Sequence, residues 1–483
     1  MAYRYAFDMK TWTPAELASA AVGRTTTAPC HWPRTSILLG IALAGLTGMR
    51  IAAGLALRGL YADGAFYAAE LWNRQGFVII EPSRWTAQVL VQAPVVFAMR
   101  LGATSPIDVA TALSLSTNLV PVLLTIASLV LLPDRARAWG LFPVFVFLGF
   151  GASAGIASIA DGTTAAAYAW LLFLLILGAP ARPLPQAWTL LLAVGALRLH
   201  EAMSFLGPVL LVAACERIRD AEDRVARGVG ILVALLLVLG TLLSLHDLLH
   251  PRLATNRGAF IQDVLGLRWL CAGDRPDVFS CIGLLGLLAL PLCWVRQPTR
   301  RFLWPAFGVG LAALTILGFL QPMAAASSFA ARGNACLASL PAMALLLLAR
   351  GRHRKGPDRR ALAGLASLLC LSVTLADAAA TWQWQRYAQA AQTVLSHHRG
   401  VIGWEAALGS LSPAGRAALT GFAWPWTTPL MSIWMAPGGE VRSVIANPPG
   451  IAWEPFDPLG LAPLLGRKVV PDRAEVLRAI SGG

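Results

Sequence analysis

Apolar runs long enough to cross a bilayer recur from one end of this 483-residue chain to the other, and that recurrence restricts its fold more than any motif. A hydrocarbon core takes about 20 helical residues to span. Hydrophobic residues make up 57% of the chain and charged residues 13%, whereas ordinary soluble domains carry about 25% charged residues. The runs therefore read as helices in lipid, not as the two or three soluble domains that length alone would suggest. In order they lie near 36–59, 109–132, 140–160, 164–180, 187–199, 202–216, 228–248, 279–295, 303–322, 335–349 and 361–379.

The net charge of +14 is not spread along the chain. It sits in clusters between the runs: Arg24 and Arg34; Arg135 and Arg137; Arg182; Arg217, Arg219, Arg224 and Arg227; Arg296, Arg300 and Arg301; and Arg350 through Arg360. When the spans alternate, every cluster falls on one side, which the positive-inside rule assigns to the cytoplasm. This excludes nucleic acid as the reason for the charge and predicts an all-α polytopic membrane protein with about 11 transmembrane helices. Residues 1–35 form a cytoplasmic segment, 36–379 the helical domain and 380–483 an extracytoplasmic C-terminal region. The N-terminal segment is mixed and polar and runs straight into a full-length span, so the first helix reads as a retained signal anchor. Within 187–216, Arg198-Leu199-His200-Glu201 interrupts the apolar stretch. It reads as a tight outer turn between two short helices; a single broken helix would move every later cluster to the wrong side.

Two outer segments exceed simple connections, residues 60–108 and the tail after 379, and loops of that length usually have structure or function of their own. In the first, Val89–Leu101 is apolar, short and ends beside Arg100, the pattern of an interfacial helix lying in the membrane plane. The tail, with Trp424-Pro425-Trp426 and Asn447-Pro448-Pro449, reads as a small packed cap without a legible fold. The seven cysteines show no metal-binding spacing; Cys271 and Cys281 fall near one outer loop, where a disulfide is chemically allowed. No internal repeat of the transporter kind is visible.

The segment Tyr61-Ala62-Asp63-Gly64-Ala65-Phe66-Tyr67 follows the first span, with Glu70 and then Glu81-Pro82-Ser83-Arg84-Trp85 beyond it. A carboxylate at the membrane surface can take a proton from an acceptor hydroxyl or amine, or help bind a divalent ion, while a nearby arginine neutralises a phosphate leaving group. Asp63-Gly64 equally suits a plain helix-ending turn. In its architecture and in the acid at Asp63, the chain resembles the GT-C superfamily of membrane glycosyltransferases, which share a cytoplasmic N-terminus, many helices and a large first outer loop bearing an acid soon after the first helix. The resemblance implies a polyprenyl-phosphate-linked sugar as donor, an extracytoplasmic glycan, lipid or protein as acceptor, interfacial helices in the loop, and a bacterial inner-membrane location. This chain departs from the paired DxD or DE motif of some branches, because Glu70 is too distant in sequence to pair with Asp63, and the departure leaves metal dependence open.

Five further residues are candidates to line the same cavity. Arg198, His200 and Glu201 are ionisable groups at a membrane boundary, where charge is costly and often retained for function; His200 would be a base and Arg198 a phosphate ligand, or Arg198 and Glu201 would pair across the turn. Asp161, in Ala160-Asp161-Gly162-Thr163, would face Asp63 or simply cap the next helix. Arg332, in Phe329-Ala330-Ala331-Arg332-Gly333-Asn334, would clamp phosphate or snorkel. With Arg84 these form the expected substrate-binding set around Asp63. Arg50, inside the first apolar run, needs a partner or a water-filled cavity; His246, Asp247 and His250 lack the HExxH pattern of a metal site. Two rival classes remain, a transporter or flippase of a lipid-linked intermediate and a noncatalytic assembly subunit.

Overall fold

Helices form where the apolar runs lie, and many of their ends carry legible stop and start signals. A computed structural model of the chain describes residues 34–132, 137–146, 161–178, 180, 182–250, 271–272, 275–276, 278–290, 297–320, 334–352, 359–424, 427–448 and 461–481. The first helix, α1 (Arg34–Leu55), is followed by a 3-10 turn at Arg58–Leu60, α2 (Asp63–Arg74), a second 3-10 turn at Pro82–Arg84, and α3 (Trp85–Arg100). Next come α4 (Pro106–Val130), α5 (Asp161–Gly178), α6 (Pro183–Gly195), α7 (Met203–Asp220) and α8 (Arg224–Leu249). The remaining long helices are α9 (Val278–Ala289), α10 (Gln297–Leu320), α11 (Asn334–Arg352) and α12 (Arg359–His397). Ser105 caps α4 by accepting from the Asp108 amide, with Pro106 in the first turn, and Asp223 caps α8 by accepting from the amides of Val225 and Ala226. Both satisfy amides that a helix start leaves without partners.

Five of these helices are long and apolar enough to cross a membrane: Ile37–Leu55, Pro106–Val130, Asp161–Gly178, Arg224–Leu249 and Arg360–His397. Shorter apolar helices cover Pro305–Leu317 and Ala335–Arg350. The chain is thus an α-helical membrane protein. Among the described residues the count of qualifying helices stops at five, short of the eleven expected, and part of the expected 140–160 run lies outside the described residues. The 187–216 stretch is two helices, α6 and α7, separated by a turn at 196–202, and both pack on α8.

α5 is the hub. All but its last residue is buried, and it packs on α3, α4, α6, α7 and α11. Its two ends differ in chemistry. At the C-terminal end, Arg217 of α7 donates to the carbonyls of Leu175 and Ile176 at 3.1 and 3.0 Å, satisfying acceptors that a helix end leaves open. Arg350 lies nearby in this network, 3.6 Å from Glu216 and 3.4 Å from Asp220, with its guanidinium over Trp139. Arg217 and Arg350, from two of the basic clusters, thus meet at the C-terminal end of α5, and the candidate acid Asp161 lies at its N-terminus.

α12 has 39 residues, about 58 Å at the usual helical rise, roughly twice a bilayer core. It continues unbroken through residue 380 and leads into a cap containing β3 (Gly400–Ile402), α13 (Trp404–Gly409), α14 (Pro413–Gly421), α15 (Thr428–Trp434), β4 (Ser443–Ile445), α16 (Ala462–Leu465) and α17 (Arg473–Ser481). β3 and β4 pair in parallel with Val401 opposite Val444. A second small sheet, β1 (Cys271–Ala272) against β2 (Arg275–Pro276), is antiparallel; the Cys271 side chain, and with it the disulfide allowed by the sequence, falls outside the described residues. The cap closes over the loop after α1. Trp434 donates to the Ala65 carbonyl at 3.0 Å, Asn73 donates to the Leu477 carbonyl at 2.9 Å, and the Tyr61 ring meets Trp384, Phe422 and Trp424 edge-on.

Candidate active site

Asp63 is presented by an unusual turn. α1 ends at a left-handed residue, Leu57 (φ 60°, ψ 22°), and the chain then winds through the 3-10 turn to Ala62, whose φ of 53° and ψ of −123° are those of a glycine. Such a conformation costs on the order of 1–3 kcal/mol for a residue with a side chain and persists only where its surroundings enforce it. The Gly64 amide donates to the Tyr61 carbonyl at 3.2 Å across the turn. A Cβ on Gly64 would stand 1.9 Å from the Gly59 carbonyl oxygen, so this close return of the chain requires glycine there. Asp63 then occupies the first turn of α2, half-buried, where the helix dipole favours a carboxylate.

The second part of the site comes from two turns distant in sequence. Arg84, at the end of the 3-10 turn before α3, donates its Nε–H to both carboxylate oxygens of Glu201 at 3.0 Å, and Ser83 donates to Oε1 of Glu201 at 2.8 Å. Burial works against charge on Arg84, yet Glu201 and Asp161 outweigh it and hold its pKa above the ordinary arginine value. Burial likewise opposes the Glu201 charge, but His200 and Arg84 hold its carboxyl down to about 2. His200 is pushed down to about 4, by burial first. Its Nδ1 accepts from the Ala202 amide at 3.1 Å, so the neutral ring carries its proton on Nε2.

Asp161 completes the group at the N-terminus of α5, buried and within electrostatic reach of Arg84, Asp63 and Glu201. Gln88 of α3 donates to Oδ2 of Asp161 at 3.4 Å and to the Tyr67 hydroxyl at 2.8 Å. Tyr67, Gln88, Val91, Gln92, Leu113, Thr117 and Asp161 line a small recess between α2, α3, α4 and α5. Here Oε1 of Gln88 is buried without a hydrogen-bond partner among the described residues. Cys336 of α11 donates to the Gly162 carbonyl beside Asp161 at 3.2 Å.

The turn before Asp63, the turn before α3, the start of α5 and the turn before α7 therefore bring Asp63, Arg84, Asp161, His200 and Glu201 to one end of the bundle. A second acid does stand near Asp63, but it is Asp161; Glu70 pairs instead with Arg74 at 2.7 Å. Arg198 turns away from the group and pairs with Asp247 at 2.5 Å, at the end of α8 beside His246. Neither Arg198 nor Glu201 takes the other as partner, because each finds a closer counter-charge on a neighbouring element. Arg332 lies outside the described residues. Arg50 pairs with Asp377 of α12 at 2.8 Å. Sequence reasoning missed Tyr67, Gln88 and Asp377; a lone acid in the last apolar run was the one available signal, since intramembrane charge calls for a partner.

Chemically, the group offers one half-buried carboxylate beside a strained turn, a guanidinium anchored by a second carboxylate, and a third, buried carboxylate at the edge of a small recess. Proton removal from a bound nucleophile and stabilisation of an anionic group are both within its reach. Comparisons with protein-family models, with curated proteins and with solved structures find no match to this chain.

Proposed function

We propose that the protein is a GT-C-like membrane glycosyltransferase that moves a sugar from a polyprenyl-phosphate carrier to an extracytoplasmic glycan, lipid or protein. The observation that supports this most is the gathering of Asp63, Arg84, Asp161 and Glu201 from four separate segments at one end of a helical membrane bundle. Two helices, α2 and α3, fill the loop between the first two long spans, as the resemblance requires. In this reading Asp63 is the base or acceptor-orienting carboxylate. Arg84 carries the positive charge facing the phosphate that leaves with the carrier, while Glu201 and Ser83 fix its orientation. Asp161 and Gln88 hold sugar hydroxyls. Displacement at the anomeric carbon forms the new glycosidic bond, breaks the bond to phosphate oxygen, passes the acceptor proton to Asp63 and leaves the pair of electrons on the lipid phosphate. It asks only for orientation, proton removal and charge stabilisation.

The same reading places eleven spans in a bacterial inner membrane, with a cytoplasmic N-terminus and the cap outside. The meeting of Arg217 and Arg350 at the end opposite Asp63 supports that orientation, since basic residues concentrate on the cytoplasmic side. The test is transfer of labelled sugar from membrane polyprenyl-phosphate donors to cell-envelope acceptors by wild type and by Asp63→Asn. Loss of transfer with donor binding retained supports the reading. Equal transfer by the variant removes Asp63 from the chemistry, and absence of transfer by wild type turns the interpretation toward a carrier or a subunit.

A further inference from the structure

Apart from the candidate site, the most completely buried charges in the described part of the molecule are Arg58 and Asp377, with side chains 0% exposed, and Arg50, whose side chain is 3% exposed. Oδ1 of Asp377 lies 2.7 Å from Arg58 and Oδ2 lies 2.8 Å from Arg50. Arg58 also donates to the Asp377 carbonyl at 3.1 Å, to the Thr381 hydroxyl at 2.6 Å and to Oδ1 of Asn118 on α4 at 3.3 Å. One turn further along α12, the Trp384 indole donates to the Ala56 carbonyl at 2.7 Å, and its ring meets Tyr61 edge-on with centroids 6.1 Å apart. Gly59 is held from the other side by the Ser114 hydroxyl at 2.9 Å.

Residues 377, 381 and 384 stand on one face of α12, at the four- and seven-residue spacings that stack side chains along a helix. That face grips Ala56, Arg58 and Tyr61, the residues that lead into the positive-φ Ala62 and thence Asp63. A fully buried ion pair is expensive to assemble and weak evidence for stability, so its most defensible use is to fix geometry. We propose that Asp377, with Thr381 and Trp384, is a positioning device that holds the Leu57–Ala62 turn in its strained conformation and so sets where the Asp63 carboxylate points. The last span thereby governs a residue displayed at the exit of the first, more than 300 positions away in sequence. The catalytic consequence rests on the glycosyltransferase reading; the mechanical one does not.

The experiment uses full-length protein in lipid nanodiscs, as wild type, Asp377→Asn, Thr381→Val and Trp384→Phe. Hydrogen exchange is followed over residues 56–66 and, as reference, over Arg224–Leu249. In the variants, amides of 59–65 are expected to exchange about tenfold faster or more, with the reference helix unchanged, the pattern of a local opening. In transfer assays kcat is expected to fall on the order of tenfold to a hundredfold with donor KM nearly constant, because misplacing a reacting group costs rate rather than affinity. Should Asp377→Asn fail to fold, the two milder variants decide the matter: Trp384→Phe lacks the bond to the Ala56 carbonyl, and Thr381→Val lacks the bonds to Arg58 and to the Asp377 carbonyl. Unchanged exchange at 59–65, or faster exchange with unchanged kcat, overturns the proposal. If wild type transfers no sugar, the function proposed above fails by itself, and exchange alone still judges whether α12 holds the turn.

Discussion

At Asp63 the relevant chemistry is a single charge. Asp63→Asn keeps the shape but removes the base, so transfer is expected to fall about 100-fold or more, the usual worth of a positioned general base; radiolabel transfer with matched expression checks this. Arg84→Lys keeps the charge but replaces the guanidinium whose Nε meets both Glu201 oxygens at 3.0 Å. The two ions are not interchangeable there, and donor KM is expected to rise while Asp63→Asn leaves donor binding alone. The turn before α7 also predicts acid sensitivity. His200 is lowered from 6.5 to about 4, so between those values the unfolded chain holds a proton that the folded chain lacks, and stability falls as pH drops through that window. Glu201, lowered from 4.5 to about 2, adds a further loss as pH drops from 4.5 toward 2. A plot of Tm against pH in detergent is expected to decline from pH 6.5 to 4 in wild type and to be flatter there in His200→Gln; parallel curves would show that His200 does not titrate with folding.

Among elements, α2 owes its placement to contacts at both of its faces. Gly64→Ala drives a methyl to within 1.9 Å of the Gly59 carbonyl, which backbone cannot absorb cheaply, and a destabilisation of roughly 1–3 kcal/mol follows from overpacking alone. Trp434→Phe keeps most of the apolar contact but removes the indole N–H that the Ala65 carbonyl accepts at 3.0 Å, a loss of about 1 kcal/mol. Thermal unfolding of the two variants is expected to rank Gly64→Ala as the less stable. The Trp434 variant should also raise protease sensitivity near 61–74, because the cap is what covers that face.

For the molecule as a whole, the proposed function carries an orientation in the bilayer that labelling tests. With the native cysteines, exposed Cys215 among them, replaced by serine, a cysteine introduced at Glu440, an exposed residue of the cap, is expected to react with a membrane-impermeant maleimide from outside intact cells, while one introduced at Arg219, exposed beside the basic cluster, is expected to react only after permeabilisation. The reverse labelling would invert the proposed orientation and detach Asp63 from any extracytoplasmic substrate. The long α12 is what joins these scales. It crosses the apolar layer, carries Asp377 against α1, and emerges to bring Trp384 and the cap over the same loop.

Reading along the chain is enough to recognise a helical membrane protein, where its helices broadly lie, that Arg198–Glu201 falls between two helices, and that Asp63 follows closely on the first span. Those features are local: hydropathy over about 20 residues, charge between runs, and turn residues next to helix starts all act through neighbours in the chain. Which charges meet depends on how the helices pack. Arg198 and Glu201 are three positions apart, yet they choose Asp247 and Arg84, because an ion in a low-dielectric bundle takes the counter-charge that packing brings closest. Asp377 comes between Arg50 and Arg58 for the same reason, and Asp161 comes near Asp63, a like charge, because the packing of α5 brings it within reach of Arg84. Spacing along the chain carries no record of such encounters; they exist once α5 is enclosed and α12 has closed against α1.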